Sequence, residues 1–433
     1  MARRPRVLLG QGVRLLDALP AGVTFSAPSS GRRGVSVTTS SLLGESHSGD
    51  IHMKRIVILI DGTWDDVNAN TNVAKLKVLI KKDTNGTAQE IFYRAGVGTE
   101  GSRLRRCLAL LTGFGLKSLV QNCYRLIVEN FEVGDEIYMF GFSRGAYAAR
   151  ALAAMIGASG IQRRPDPESL EMAWSHYREK PAVRKGEQSP GSTSSRIKCV
   201  GVWDTVGCYG VPAGFGILAP LARYISLVRL KFHDTSFGDH IDVGLHAVAI
   251  DERRRPFVPT FWTKSKHRAP PKYVEQTWFS GMHDNVGGGR PDTGLSDIAL
   301  IWMIARVQAL TGLEFDVDAV RDSVSPNVDG EVYDSTAGLP LSHRWPYIRK
   351  ILSSVAIQHG YFGDKNQPEE MHINERVHWS VLEKRERPCT VFGVANTTYN
   401  PPNLPPPATI SRERIAVKTP EEQALTPNKA VPG

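Results

Sequence analysis

Apolar runs and stretches of helical spacing alternate along the chain from residue 55 onward. Residues 56–60 form a continuous run of isoleucine, valine and leucine, which predicts a strand buried on both faces. Residues 72–80 and 116–131 repeat apolar positions at helical spacing and predict helices. Further strands are predicted at residues 90–93, 136–140, 197–203, 245–250 and 276–279, and further helices at residues 146–156 and 295–310. The alternation predicts an α/β fold, a mainly parallel sheet with helices on both faces.

The two ends of the chain differ from this middle part. Residues 1–52 are rich in serine, glycine and arginine and carry no strand or helix pattern. We expect them to be a disordered or non-native extension, with Met53 as the natural start. Residues 400–433 are dense in proline, which predicts an extended, weakly ordered tail. The α/β domain is therefore assigned to residues 53–399.

Two insertions interrupt the alternation inside that domain, near residues 162–195 and 211–240. The first is polar and charged. The second is apolar up to residue 233 and is punctuated by glycine and proline. Its simpler interpretation is an ordinary insertion that packs its own helix. The alternative is a lid or a surface that contacts an acyl chain.

A G-x-S-x-G motif connects a predicted strand to a predicted helix. It consists of Gly141, Ser143 and Gly145, preceded by an apolar and aromatic run and followed by an alanine-rich stretch. Such a turn holds the serine backbone in a strained conformation and needs small flanking residues. The motif therefore predicts Ser143 as a catalytic nucleophile, with Gly141 and Gly145 supporting the turn.

A serine nucleophile needs a base and an acid that orients the base. In a hydrolase with this turn, the acid and then the histidine follow the serine, each after a strand. Asp204 follows the strand at residues 197–203, and His283 follows the strand at residues 276–279 and precedes three glycines. The alternative for Asp204 is an ordinary loop cap. We interpret His246 and His378 as structural histidines and His267 as part of a basic loop.

The oxyanion of an acyl-transfer intermediate needs backbone donors. Arg144 follows the nucleophile and predicts one N–H donor. Gly62 or Thr63, in the loop after the first strand, predicts the second. Asp61 is expected to hold this loop by side-chain hydrogen bonds, with metal binding or a direct catalytic role as the alternative. A phosphatase of the haloacid dehalogenase type is excluded, because Leu59 stands where that chemistry needs an aspartate.

The composition argues against several classes of protein, among them disulfide-rich, zinc-binding and nucleic-acid-binding proteins. The chain has 433 residues, 41% of them apolar, with a net charge of +9 and five cysteines that form no C-x-x-C pair. Such a cysteine pattern predicts neither a disulfide framework nor a zinc site. No motif for nucleic acid accompanies the basic charge, so we expect no nucleic-acid partner. The basic surface is either simply solvated or favours peripheral contact with an anionic membrane. We expect a cytoplasmic protein or one exported without a cleavable signal peptide, and the sequence predicts no oligomeric state.

Several blocks between residues 54 and 312 resemble an α/β-hydrolase family that includes phospholipase effectors of type VI secretion systems. The matching blocks are residues 60–64, 70–73, 93–99, 134–137, 141–147, 202–207, 249–253 and 278–283. The resemblance implies an α/β-hydrolase core, a triad that falls on Ser143, Asp204 and His283, and a lipid substrate. Asn285 departs from the family pattern, which has an aspartate at that position.

The sequence thus predicts a serine esterase or lipase that cleaves a carboxylic ester through an acyl-enzyme. A phospholipid ester is the substrate that the resemblance favours. We expect no metal or organic cofactor. The alternative is a binding or interaction protein that retains the hydrolase scaffold without catalysis.

Overall fold

The computed structural model describes residues 53–62, 70–96, 114–179, 183, 186–206, 237–263, 272–337, 347–352 and 372–426. All of them belong to one compact unit, residues 51–433. The predicted extension 1–52, the apolar part of the second insertion and His267 lie outside the described residues.

The described strands and helices follow the predicted alternation and extend most of the predicted bounds. The strands are β1 (Arg55–Ile60), β2 (Asp83–Thr84), β3 (Thr87–Arg94), β4 (Glu136–Phe142), β5 (Ile161–Gln162), β6 (Ser192–Thr193), β7 (Ile197–Trp203), β8 (Ile241–Ala249), β9 (Tyr273–Phe279), β10 (Glu375–His378), β11 (Pro388–Val391), β12 (Val394–Thr398) and β13 (Ile415–Ala416). The α-helices are α1 (Asn72–Leu79), α2 (Phe114–Asn130), α3 (Ser143–Ser159), α4 (Pro167–Arg178), α5 (His283–Gly287), α6 (Gly294–Thr311), α7 (Val317–Ser323), α8 (Trp379–Lys384) and α9 (Pro420–Leu425).

One large sheet organises the described residues. Its strand order is β13-β10-β9-β8-β7-β4-β1-β3-β2, and every neighbouring pair is parallel except β2 with β3. The central strands are buried on both faces, as their continuous apolar runs predict. This mostly parallel sheet with helices confirms the predicted α/β-hydrolase-like fold.

Two hydrophobic clusters cover the faces of the sheet. Helices α2, α3 and α4 contribute to one cluster, and α1, α6, α7 and α9 contribute to the other. Helix α6 is long and apolar enough to cross a membrane, but 83% of it is buried inside the protein. Its composition is therefore explained by its position in the core.

The strand register sets the place of the site. Ile60 lies beside Gly141, Phe142 beside Trp203, Trp203 beside Ala247, and Ala249 beside Phe279. These strands therefore end at a common level. The residues that follow them meet at the carboxyl edge of the sheet, where parallel α/β folds bind their ligands.

The C-terminal segment differs from the predicted weakly ordered tail. Among residues 400–426, Leu404, Ile410 and Leu425 are buried, strand β13 pairs with β10, and α9 packs against α6. The prolines keep most of this segment out of the sheet because proline lacks an N–H donor. The apolar residues between them still bury against the core and hold the segment in place. Residues 427–433 lie outside the described residues.

The first insertion forms local structure. Strands β5 and β6, on either side of helix α4 in the chain, pair antiparallel, and α4 packs against α2 and α3. Asp166 caps α4 by accepting a hydrogen bond from the Ser169 amide at 2.9 Å, which explains where this helix begins. The polar sequence of this insertion is therefore that of a helix with one buried face.

Candidate active site

Ser143 occupies a strained turn at the start of α3. Its φ is +59°, whereas Phe142 before it is extended. A Cβ atom on Gly145 would lie 2.3 Å from the carbonyl oxygens of Ile60 and Asp61, and one on Gly141 would lie 2.6 Å from the Gly145 oxygen. Both positions therefore require glycine, and the strain falls on the serine as the motif predicts.

Ser143, His283 and Asp204 form one hydrogen-bonded chain at the carboxyl edge. Ser143 Oγ lies 2.7 Å from His283 Nε2, and His283 Nδ1 lies 2.6 Å from Asp204 Oδ2. The three residues are 5%, 3% and 0% exposed. An ionised carboxylate only accepts, so Nδ1 carries the proton and Nε2 accepts from the serine hydroxyl. The arrangement can therefore take a proton from Ser143.

Asp204 is held by contacts other than His283. Its φ is +37°, and its Oδ1 accepts from the Ala249 amide at 3.0 Å. Arg349 donates to Oδ1 at 2.6 Å and to Oδ2 at 3.0 Å. Burial opposes ionisation of this carboxyl, but Arg349 and His283 outweigh it and hold the pKa of Asp204 well below its usual range. Asp204 is therefore a fixed carboxylate.

Aromatic rings enclose the imidazole of His283, which is the first residue of α5. The ring of Phe142 lies 4.6 Å from it and the ring of Phe257 lies 5.0 Å from it, centroid to centroid. The His283 amide donates to Glu252 Oε2 at 3.4 Å. The two rings pack against the imidazole in the position in which it contacts both Ser143 and Asp204.

The loop before His283 is anchored by Asp251 and Asn285. Asp251 Oδ2 accepts from the Gly281 amide at 2.7 Å and from the Tyr399 hydroxyl at 2.8 Å. Asn285 Oδ1 accepts from the amides of Met282 and Tyr333, and its Nδ2 donates to the Glu331 carbonyl at 2.9 Å.

Asn285 thus uses both a donor and acceptors, and a carboxylate has no donor to match the Nδ2 contact. Asn285, which replaces the aspartate of the family pattern, therefore has a structural role in this loop. Asp284, next to it, pairs with Arg290 at 2.8 Å near the surface.

Asp61 anchors the loop after β1. Its Oδ2 accepts from Thr71 Oγ1 at 2.6 Å and from the Tyr93 hydroxyl at 2.8 Å, and its Oδ1 accepts from the Gly62 amide at 2.7 Å. These donors engage both oxygens, as the expected role of a loop anchor requires.

The same contacts bear on the two residues predicted as the second oxyanion donor. The Gly62 amide is bonded to Asp61, so it does not point an unengaged N–H at an oxyanion. Thr63, the other predicted donor, lies outside the described residues. Arg144 lies in the first turn of α3, at a helix N-terminus where amides face an incoming anion.

His246 and His378 are buried in the core, where the sequence places them as structural histidines. His246 is buried and accepts from the Thr205 amide at 3.1 Å. Burial, together with Arg150, lowers its pKa to about 3, so it is neutral. His378 caps α8 and stacks on Phe279 at 4.5 Å.

The sequence did not reveal several residues that contact the triad or the His283 loop but lie far from them along the chain. Arg349 is 1% exposed and binds the triad carboxylate, Glu252 and Phe257 contact His283, and Tyr399 holds Asp251. Arg349 stands in a short mixed stretch with no periodicity and no motif. Of these four residues, only Glu252 lies within a block that the sequence resemblance used, residues 249–253.

The family model described as "T6SS, Phospholipase effector Tle1-like, catalytic domain" matches residues 54–306, more than half of the chain. The chain belongs to this Tle1-like family. The match confirms the resemblance found in the sequence and includes Ser143, Asp204 and His283. Arg349 and Tyr399 lie beyond it.

Relatives of this Tle1-like chain include an uncharacterized protein of Saccharomyces cerevisiae, which is 30% identical over 264 residues. That match covers 56% of this chain and 37% of the yeast protein, so the chain spans well under half of the length of this relative.

Among solved structures, the chain is similar to the Tle1 effector bound to the VgrG spike of the type 6 secretion system. The identity is 19%, the coverage is 56% of this chain and 52% of that one, and the TM-score is 0.32. It is also similar to an uncharacterized protein from Pseudomonas aeruginosa, with 20% identity, coverage of 61% and 46%, and a TM-score of 0.34.

Proposed function

We propose that this chain is a serine hydrolase that cleaves carboxylic esters through an acyl-enzyme, and that a phospholipid acyl ester is its substrate. The observation that supports the chemistry best is the buried chain from Ser143 through His283 to Asp204, with contacts of 2.7 and 2.6 Å. The family of phospholipase effector domains supports the lipid substrate.

In the proposed mechanism, Ser143 Oγ attacks the ester carbonyl carbon while His283 Nε2 takes the hydroxyl proton. Asp204 accepts a hydrogen bond from His283 Nδ1, which keeps the proton on Nδ1 and leaves Nε2 free to act as the base. The same carboxylate stabilises the imidazolium that forms. The Arg144 amide stabilises the oxyanion, together with a donor from the loop that Asp61 holds.

The tetrahedral intermediate then collapses. His283 Nε2 gives its proton to the leaving alkoxide, and the alcohol departs, which leaves the acyl group on Ser143 Oγ. Water attacks the acyl-enzyme with His283 as base, and the carboxylic acid leaves as Ser143 regains its proton.

A fluorophosphonate probe tests the nucleophile. We expect the folded wild-type protein to be labelled and Ser143→Ala to be unlabelled. Ser323→Ala is the matched control, because Ser323 lies on the exposed surface of α7. Absence of labelling in the wild-type protein would contradict the catalytic proposal and favour a binding protein on a hydrolase scaffold.

Phospholipid vesicles test the substrate. We expect vesicles of phosphatidylethanolamine and phosphatidylglycerol to release free fatty acid and lysophospholipid, measured by mass spectrometry, and Ser143→Ala to release neither. Turnover of short-chain nitrophenyl esters without fatty acid release would support an esterase and contradict the lipid part. Release of the phosphorylated headgroup would contradict the proposed acyl specificity.

A further inference from the structure

Arg349 binds the same carboxylate that orients His283. Its two terminal nitrogens donate to the two oxygens of Asp204, at 2.6 and 3.0 Å. The side chains of Arg349 and Asp204 are 1% and 0% exposed. Two parallel hydrogen bonds of this kind fix the orientation of a carboxylate as well as its charge.

The guanidinium group is itself fixed by backbone groups. One terminal nitrogen donates to the Ala249 carbonyl at 2.7 Å, and the other donates to the Phe257 carbonyl. The Arg349 carbonyl accepts from Asn403 Nδ2 at 3.0 Å. Three separate segments of the chain therefore hold this arginine against Asp204.

Among the described residues near the triad, Arg349 is the cation that pairs with the Asp204 carboxylate. Glu252, which accepts from the His283 amide, is paired with Arg254 at 2.8 Å, so these two charges largely cancel. His246 is neutral because burial lowers its pKa to about 3. A carboxylate buried in this way needs a partner, and Arg349 supplies it.

We propose that Arg349 is a positioning residue of the triad, which fixes the Asp204 carboxylate for His283 Nδ1 and limits how strongly that carboxylate favours a protonated imidazole. This inference rests on the proposed serine hydrolase function. Without the arginine, the full negative charge of Asp204 faces His283 alone. A protonated His283 cannot accept the Ser143 proton. As the pH is lowered, the variant without the arginine therefore loses activity at a higher pH than the wild-type enzyme does.

The test compares Arg349→Met, which removes the charge, with Arg349→Lys, which keeps it but lacks the planar fork. Turnover of a soluble nitrophenyl ester is followed from pH 4 to pH 9. We expect Arg349→Met to lower kcat at neutral pH by about a hundredfold and to move the acidic limb of the profile up by about one pH unit, with KM little changed. Arg349→Lys keeps the wild-type limb and loses about tenfold in kcat.

A control variant separates this effect from the loss of any buried arginine. Arg150 is buried, donates to the carbonyls of Thr260 and Phe261, and stacks on Trp262. We expect Arg150→Met to leave the acidic limb where it is in the wild-type protein, whatever it does to the amount of folded protein.

A double-variant comparison keeps the proposal testable if Arg349→Met alone does not fold. The pair Asp204→Asn and Arg349→Met removes both buried charges together, which is the better tolerated change. Because Arg349 acts through Asp204, adding Arg349→Met to Asp204→Asn should cost less than about threefold in kcat/KM. Equal losses in both backgrounds, or an unmoved acidic limb in a folded Arg349→Met variant, would overturn the inference. A wild-type protein without turnover or Ser143 labelling would instead overturn the proposed function.

Discussion

Charged residues lie at both the amino and the carboxyl edge of the central sheet, but they differ in how deeply they are buried. At the amino edge, Glu136 pairs with Lys198 at 2.8 Å and with Arg55 at 3.2 Å, and these side chains are partly exposed. At the carboxyl edge, Asp204 and His283 are buried and meet at 2.6 Å. The same strands therefore begin at partly exposed ion pairs on one side of the sheet and lead into a buried polar chain on the other.

This difference in burial determines how much free energy of unfolding is lost when one partner of an ion pair is removed. A partly exposed carboxylate can exchange a lost partner for water, so an ion pair there contributes about 1 kcal/mol or less. A buried carboxylate cannot, and losing one partner costs about 3–5 kcal/mol. Keeping such groups buried lowers the margin of stability, and strongly perturbed groups of this kind cluster at functional sites. The comparison is consistent with the proposed active site at the carboxyl edge.

Removal of the acid gives the largest expected contrast between the edges. Asp204→Asn should lower kcat/KM by about 10⁴-fold, because His283 loses the acceptor that sets its tautomer. It should also lower the free energy of unfolding by about 3 kcal/mol, because Arg349 is left buried without its carboxylate. Turnover and urea denaturation measure the two effects. The matched change at the amino edge, Glu136→Gln, should leave turnover unchanged; equal losses at both edges would break the comparison.

The pH dependence of stability sharpens the same contrast. Despite its burial, the folded pKa of Asp204 is depressed by Arg349 and His283, so the contribution of this group is complete above the unfolded value of about 4. It is lost as the pH falls below that value. We expect the Tm of the wild-type protein to fall more steeply between pH 4 and pH 2 than the Tm of Asp204→Asn. Parallel curves would show that other carboxyls dominate.

Tyr399 connects the C-terminal segment to the carboxyl edge, and its loss should have an intermediate effect. Tyr399→Phe leaves Asp251 Oδ2 with the Gly281 amide but without the tyrosine donor. We expect a loss of about 1–2 kcal/mol in the free energy of unfolding and a several-fold loss of kcat, because the His283 loop is held less firmly. Unchanged stability and turnover would show that the segment does not support the site.

The smallest effect is expected at the amino edge. Arg196 pairs with Asp242 at 2.6 Å, but its side chain is half exposed and Lys272 also contacts Asp242. Arg196→Gln should change the free energy of unfolding by less than about 1 kcal/mol and leave turnover unchanged. A loss comparable to that of Asp204→Asn would show that exposure does not govern the value of these pairs.

Much of the fold was predictable because local patterns reported it. The strand at residues 56–60 and the helix at 295–310 are visible as apolar periodicity, since a buried element must be apolar where it contacts the core. Ser143 was predictable for a different reason: a strained turn next to a strand needs glycine at 141 and 145, and that requirement is local.

The positions for which the sequence was less informative share a cause as well. Gly62 or Thr63 was expected to donate to the oxyanion, and the carboxylate beside Gly62 in the chain takes the Gly62 N–H. Residues 400–433 were expected to form an extended, weakly ordered tail because they are dense in proline. Proline density does not reveal that Leu404 and Ile410, among the described residues of this tail, are buried against the core. Local composition describes what a segment can do, and its long-range partners decide which of these outcomes occurs.

The sequence by itself determined the central strands β1, β3, β4, β7, β8 and β9 and the main helices between them. It also determined the serine turn and the two strand ends that carry Asp204 and His283, because each depends on neighbours in the chain. Only the tertiary structure decided that these ends meet within hydrogen-bond distance and that Arg349 and Tyr399 complete their surroundings. Arg349 lies 145 residues from Asp204 along the chain. No local pattern encodes such a contact, because it exists only when burial removes water and leaves one charge to balance another.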